Sequence, residues 1–184
     1  MRKVTIISLL LVIALTSFGQ IKWTKINSNK SINPQIEVVQ AIDNELIIKM
    51  DLNAYRLLEV ETPRGSAFVV KSPECPNSYY KGAPDLPFIT SSIVIPDQGG
   101  VKYEVISAQF ETIENIEIAP SKGSILRTID PETVPYEYGR AYQVDEFLPF
   151  ENVQMGEPFI LRALRGSNIT FYPFRYNAVS KELQ

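Results

Sequence analysis

Apolar residues fall along this chain in short runs, four to eight long, each closed by proline, glycine, asparagine or aspartate. Runs of that length bounded by turn formers predict strands. The expected strands are Gln35–Val39, Glu45–Leu52, Tyr55–Thr62, Ser66–Lys71, Phe88–Ile95, Pro158–Ala163 and Asn168–Phe174, with Thr112–Ile118 a weaker one. Turns are expected at Asp43-Asn44, at Pro63-Arg64-Gly65, at Asp97–Gly100 and at Arg165-Gly166. Val101, Tyr103 and Val105 alternate with Lys102 and Glu104, the pattern of a strand with one wet face, and Ile106 after Val105 predicts a bulge. The runs between Tyr55 and Lys71, with those before them, predict an antiparallel meander. No helical period is sustained over several turns; Asn27–Ile42 comes nearest and Pro34 interrupts it. The fold class expected is all-β, an antiparallel sandwich or open barrel.

Two proline-rich stretches break this pattern. Lys81-Gly-Ala-Pro-Asp-Leu-Pro87 reads as a rigid extended connector, because each proline fixes φ near −65°. Residues 119–158 have little periodicity and are long for an irregular connection, which predicts a functional loop.

The chain's first 19 residues read as a signal peptide, with Arg2 and Lys3 ahead of the apolar run Val4–Leu15 and small residues at Ser17-Phe18-Gly19. About a dozen apolar residues is short for a membrane span, which needs about 20. The expected product is one secreted or cell-surface domain, 20–184, exported through the periplasm, with no membrane span after signal cleavage. Asn177–Gln184 reads as a turn and the start of a strand, so the domain is expected to be truncated at its C-terminus.

Composition narrows the chemistry. The formal net charge is −3, from 18 basic and 21 acidic residues, and removal of Arg2 and Lys3 makes the remainder more acidic. No basic cluster exists, so nucleic acid is not an expected partner. The chain has no histidine, which excludes Ser-His-Asp and Cys-His catalysis and most zinc sites. Its one cysteine, Cys75, lies between Pro73 and Pro76 without an activating base and reads as an incidental loop residue. Glu111, Glu114 and Glu117 recur at a spacing that does not share one face of a strand, so no metal is expected. No catalytic residue is assigned. Asn168-Ile-Thr170 fits a glycosylation sequon by chance. Arg162 and Arg165 flank a turn, and either is a candidate to pair with an acidic residue across the sheet.

Residues 118–177 contain Ala119-Pro-Ser-Lys-Gly123, Asp130-Pro131, Pro135-Tyr136 with Tyr138-Gly139, Pro158-Phe-Ile-Leu-Arg162, Arg165-Gly166 and Tyr176-Asn177. Glu61-Thr-Pro-Arg-Gly65 and Lys81-Gly-Ala-Pro-Asp-Leu-Pro-Phe-Ile89 add to them, while residues 20–45 are not diagnostic. In order and near-spacing these pieces resemble the propeptides of the gingipain-type (C25) cysteine proteases of Bacteroidetes. The resemblance implies a non-catalytic all-β domain without cofactor. Its partner would be a C25-type catalytic domain, which it helps to fold and keeps latent. It also implies an inhibitory loop in the protease's primary specificity pocket, presenting Arg127 followed by Thr128. Lys122 is the second basic candidate, suited to a lysine-preferring partner. Pro131, Pro135, Tyr136, Tyr138 and Gly139 are expected to fix the descending limb, with tyrosine faces packed and hydroxyls in water. The rival reading is a secreted β-sandwich binding or adhesion module, with Tyr79, Tyr80, Tyr136 and Tyr138 as stacking surfaces and Trp23 standing alone.

Overall fold

The computed structural model describes residues 22–26, 29–42 and 45–184; the expected signal peptide and the Asp43-Asn44 turn lie outside them. Strands β1 (Thr24–Lys25), β2 (Gln35–Ile42), β3 (Glu45–Asp51), β4 (Ala54–Thr62), β5 (Gly65–Lys71) and β6 (Ile89–Val94) precede the long loop. Strands β7 (Val153–Met155), β8 (Phe159–Leu161), β9 (Leu164–Phe171), β10 (Tyr176–Asn177) and β11 (Glu182–Leu183) follow it. All named pairings are antiparallel, as expected for the class. They form four small sheets: β2-β3, β1-β4-β5, β10-β11, and β9 flanked by β6 on one side and by β7 and β8 on the other.

The meander divides in two because β3 does not pair with β4. Between them the buried Asn53 donates to the Asn33 carbonyl at 2.6 Å and accepts from the Ile26 amide at 2.9 Å through its own carbonyl. Those bonds turn the chain away from the β2-β3 hairpin, which keeps Val38, Val39 and Ile42 exposed. The Pro63-Arg64 turn joins β4 to β5 as expected, with Thr62 opposite Gly65.

Three expectations are corrected. Residues 101–110 form no strand and are exposed, Ile106 the most of their large apolar side chains at 70%. Alternation specifies a half-wet strand only where one of its faces is buried, and no residue of this stretch is. Here the Tyr103 side chain takes the place of backbone pairing, its hydroxyl donating to the Val153 carbonyl on β7 at 3.2 Å. The turn before the last long strand sits at Arg162-Ala163, where Arg162 has φ of 57° and Leu161 faces Leu164. Arg165-Gly166 therefore lies inside β9. Arg165 pairs with no acid among the described residues; its guanidinium donates to the Pro96 and Gly99 carbonyls at 2.8 and 3.0 Å and ties down that turn.

The weak strand Thr112–Ile118 is a core-crossing segment held by single bridges, Ile113 to Leu183 and Ile118 to Phe68. Ile116 and Ile118 are buried with Val70, Leu86, Tyr142, Phe174, Tyr176 and Leu183. Two buried tyrosines fasten its backbone: Tyr176 donates to the Ile116 carbonyl at 3.0 Å and Tyr142 to the Ile118 carbonyl at 2.8 Å. Burial pushes the Tyr176 hydroxyl up to about 12 and raises that of Tyr142 as well. Unfolded tyrosines ionise near pH 10, so the folded state prefers the neutral phenols. Their stabilising contribution is complete below about pH 10 and is lost as pH rises through about 12. Urea midpoints measured across that window should fall, and more steeply for the parent protein than for Tyr176→Phe.

Candidate functional site

The core-crossing segment delivers the chain directly into the long loop. Ala119 is buried and pairs with β5, its amide donating to the Phe68 carbonyl at 2.8 Å. The expected rigid connector then meets it: Asp85 N donates to Ala119 O at 2.9 Å, Ser121 N to Ala83 O at 2.7 Å and Gly82 N to Ser121 O at 2.9 Å. The buried Ser121 hydroxyl adds a bond to the Ser78 carbonyl at 2.6 Å and accepts from the Gly123 amide at 3.1 Å. The ascending limb is thus laced to 78–85 before the loop leaves the body.

At the tip, the Ile129 amide donates to the Leu126 carbonyl at 2.9 Å. This closes a four-residue turn with Arg127 and Thr128 at its two central positions. Both are exposed. Among the described residues, no hydrogen bond or ion pair holds the Arg127 guanidinium. Beyond the turn, Asp130 caps a short 3-10 helix, Pro131–Thr133, accepting from Glu132 N at 2.9 Å, while the Thr133 hydroxyl donates to the Asp130 carbonyl at 2.7 Å. The expected stiffness of Asp130-Pro131 takes this capped form.

Lys122 does not present its charge beside Arg127. Its ammonium donates to the Pro131 carbonyl at 2.8 Å and stands 4.3 Å from the centre of the Tyr136 ring. Behind it, a cleft is lined by Lys71, Asn77, Asp85, Ser121 and Tyr136. Burial holds the Asp85 carboxyl above its usual range, opposed by Lys71, Asn77 and Lys122.

The descending limb returns across the connector. Gly139 N donates to Gly82 O at 2.9 Å. The backbones are so close that a Cβ on Gly139 would sit 2.9 Å from that oxygen, and Gly82 has φ of +80°. Gly139→Ala is expected to cost about 1–3 kcal/mol of stability, read from the shift of the urea midpoint; an unchanged midpoint would show that the crossing yields without cost. Tyr138 packs edge-on against Tyr142 with ring centres 4.6 Å apart, and Arg64 stacks 3.9 Å above it. Its hydroxyl is 2.8 Å from Thr62 Oγ1 rather than in open water. The sequence contained these anchors only as motif words, since the crossing of Gly82 and Gly139 is a tertiary fact.

Burial pushes the Cys75 thiol up, with a Ser72 hydrogen bond opposing, which suppresses the reactive thiolate. Glu117, of the expected glutamate series, pairs with Lys181 at 3.2 Å. No group of three or more potential metal-binding side chains occurs among the described residues, and no helix among them is long and apolar enough to cross a membrane.

The C25 propeptide model, Propeptide_C25, matches residues 27–184. The chain belongs to the C25 propeptide family. It is a pro-region, not a catalytic domain. It is 37% identical over 153 residues to gingipain R1 of Porphyromonas gingivalis, covering 83% of this chain and 15% of the relative. To gingipain R2 of strain ATCC 33277 it is 36% identical over 152 residues, 83% of this chain and 21% of the relative. The chain therefore spans a small part of these relatives' lengths. A structure described as a complex of Porphyromonas gingivalis RgpB pro- and mature domains superposes with a TM-score of 0.76 at 37% identity, covering 82% of this chain and 80% of the other. A structure concerning zymogenic latency of gingipain K from the same species shares the fold, with a TM-score of 0.68 at 21% identity over 89% of this chain and 92% of the other.

Proposed function

We propose that residues 20–184 act as an exported propeptide domain that assists the folding of a C25-type cysteine protease and keeps it latent, with Arg127 entering the protease's primary specificity pocket and Thr128 on its leaving side. The observation that supports this reading is the tip itself: an exposed arginine without a partner among the described residues, at the centre of a hydrogen-bonded turn. A guanidinium presented in this way can enter an acid-floored pocket with paired, charge-assisted bonds. Because the turn is already formed, little ordering entropy is lost on docking. Binding the native protease better than its unfolded chain is also what would favour its folding. Lys122, committed within the loop, is the weaker occupant of such a pocket. Export rests on the Arg2-Lys3 and Val4–Leu15 pattern and on the small residues before Gln20.

The test is inhibition in trans. The purified protein is titrated into a gingipain-like catalytic domain, with arginine and lysine substrates in parallel. Saturable inhibition of the arginine activity is expected. A folded protein that inhibits neither activity would overturn the reading and favour a surface-binding role for the exposed Tyr79 and Tyr80.

A further inference from the structure

Two cross-links span the bond between Arg127 and Thr128. The inner one is the turn, Ile129 N to Leu126 O. The outer one is Lys122, whose ammonium reaches the Pro131 carbonyl nine positions on and rests on Tyr136. These two bonds differ in what a cut would do to them. The inner bond depends on an intact four-residue turn. The outer bond joins limbs that are anchored separately, the ascending one by Ser121 to Ala83 and Ser78, the descending one by Gly139 to Gly82. Neither anchor includes the bond between Arg127 and Thr128.

We propose that Lys122 is a positioning residue that keeps the two limbs in register, so that a loop attacked at Arg127 is resealed rather than released. This rests on the reading of Arg127 as the pocket residue and adds what makes the loop an inhibitor instead of a substrate. Attack of the protease thiolate on the Arg127 carbonyl carbon breaks its bond to the Thr128 nitrogen. That nitrogen takes a proton from the protease's own general acid, and a thioester remains. Return of the Thr128 amine re-forms the peptide bond and frees the thiol. Water entering instead leaves a carboxylate on Arg127 and ends inhibition. Which outcome prevails depends on the local concentration of that amine, and tethering two ends within a short ring raises it far above that of a free product. Without the Lys122 bond the descending limb is tied to the body only from Gly139 onward, so the Thr128 amine swings on a longer tether and spends more of its time away from the thioester.

The experiment incubates the purified protein, Lys122→Met, Lys122→Arg and Arg127→Ala with an arginine-cleaving C25 catalytic domain. It follows residual activity and, by mass spectrometry, the fragment ending at Arg127; thermal midpoints are taken in parallel. Lys122→Met is expected to be cut at least tenfold faster, with activity returning and the midpoint unchanged. Lys122→Arg, able to make the same carbonyl bond and ring contact, should stay near the parent. If Lys122→Met inhibits as durably as the parent while Arg127→Ala releases the protease, the positioning role is overturned and the pocket reading stands. A lowered midpoint that accounts for the faster cutting, or equal failure of Lys122→Arg, also overturns it. Undiminished inhibition by Arg127→Ala removes both readings.

Discussion

Arg127→Ala should raise the inhibition constant against an arginine-cleaving C25 catalytic domain at least tenfold, about 1.4 kcal/mol. The effect should be confined to binding. In the free domain the guanidinium has no partner among the described residues, so its removal breaks nothing that holds the fold, and the thermal midpoint should not move. In a complex the same group would be the anchor that fills a desolvated pocket, the kind of residue whose truncation dominates an interface. Arg127→Lys separates charge from shape. A lysine keeps the positive charge but cannot make the paired planar bonds of a guanidinium, and should fall between the parent and Arg127→Ala. Potency unchanged by Arg127→Ala would remove the pocket role from this loop while leaving membership of the family intact, because that membership rests on residues 27–184 as a whole.

The parts of this domain legible in the sequence are those governed by neighbours in the chain. β3, β4, β5 and β6 lie within a residue or two of the expected runs, because each is a short apolar stretch with its own turn formers. The irregular course of the proline-rich stretch was legible for the opposite reason, since it satisfied neither period. Residues 101–105 misled because alternation describes what a strand would need, not whether one of its faces will be buried. The turn at Arg162-Ala163 was missed because Arg165-Gly166 carries the more conventional turn signal, while the structure places a non-glycine residue at positive φ instead. In the loop, the exposed Arg127 could be named from motif words. The folding-back of Lys122 could not, since the Pro131 carbonyl and the Tyr136 ring meet it only once both limbs are anchored.

The chain's last strand ties these anchors to the core, and Leu183→Ala should cost about 3 kcal/mol, within the range for emptying a buried leucine site. Leu183 is 1% exposed and packs in the same cluster as Ile116 and Ile118, the residues that launch the loop. Its backbone is held on two sides. Leu183 exchanges both hydrogen bonds with Ile113, at 2.8 and 2.9 Å, and Gln184 exchanges both with Arg175, each at 2.8 Å. β11 is therefore a strut between the segment that enters the loop and the segment around Arg175. Truncating the side chain leaves those backbone bonds in place and removes packing alone. The loss should appear as a lower urea midpoint with an unchanged slope. Leu183→Met, which nearly conserves volume, should lose less than about 1.5 kcal/mol. At a temperature where Leu183→Ala is still folded, its inhibition constant should match the parent's, because the turn at Arg127 and the Lys122 bond are made within the loop itself. A weakened constant in a fully folded Leu183→Ala protein would instead show that packing beneath Ile116 and Ile118 reaches the tip, and that the loop's geometry is set by the core as much as by its own hydrogen bonds.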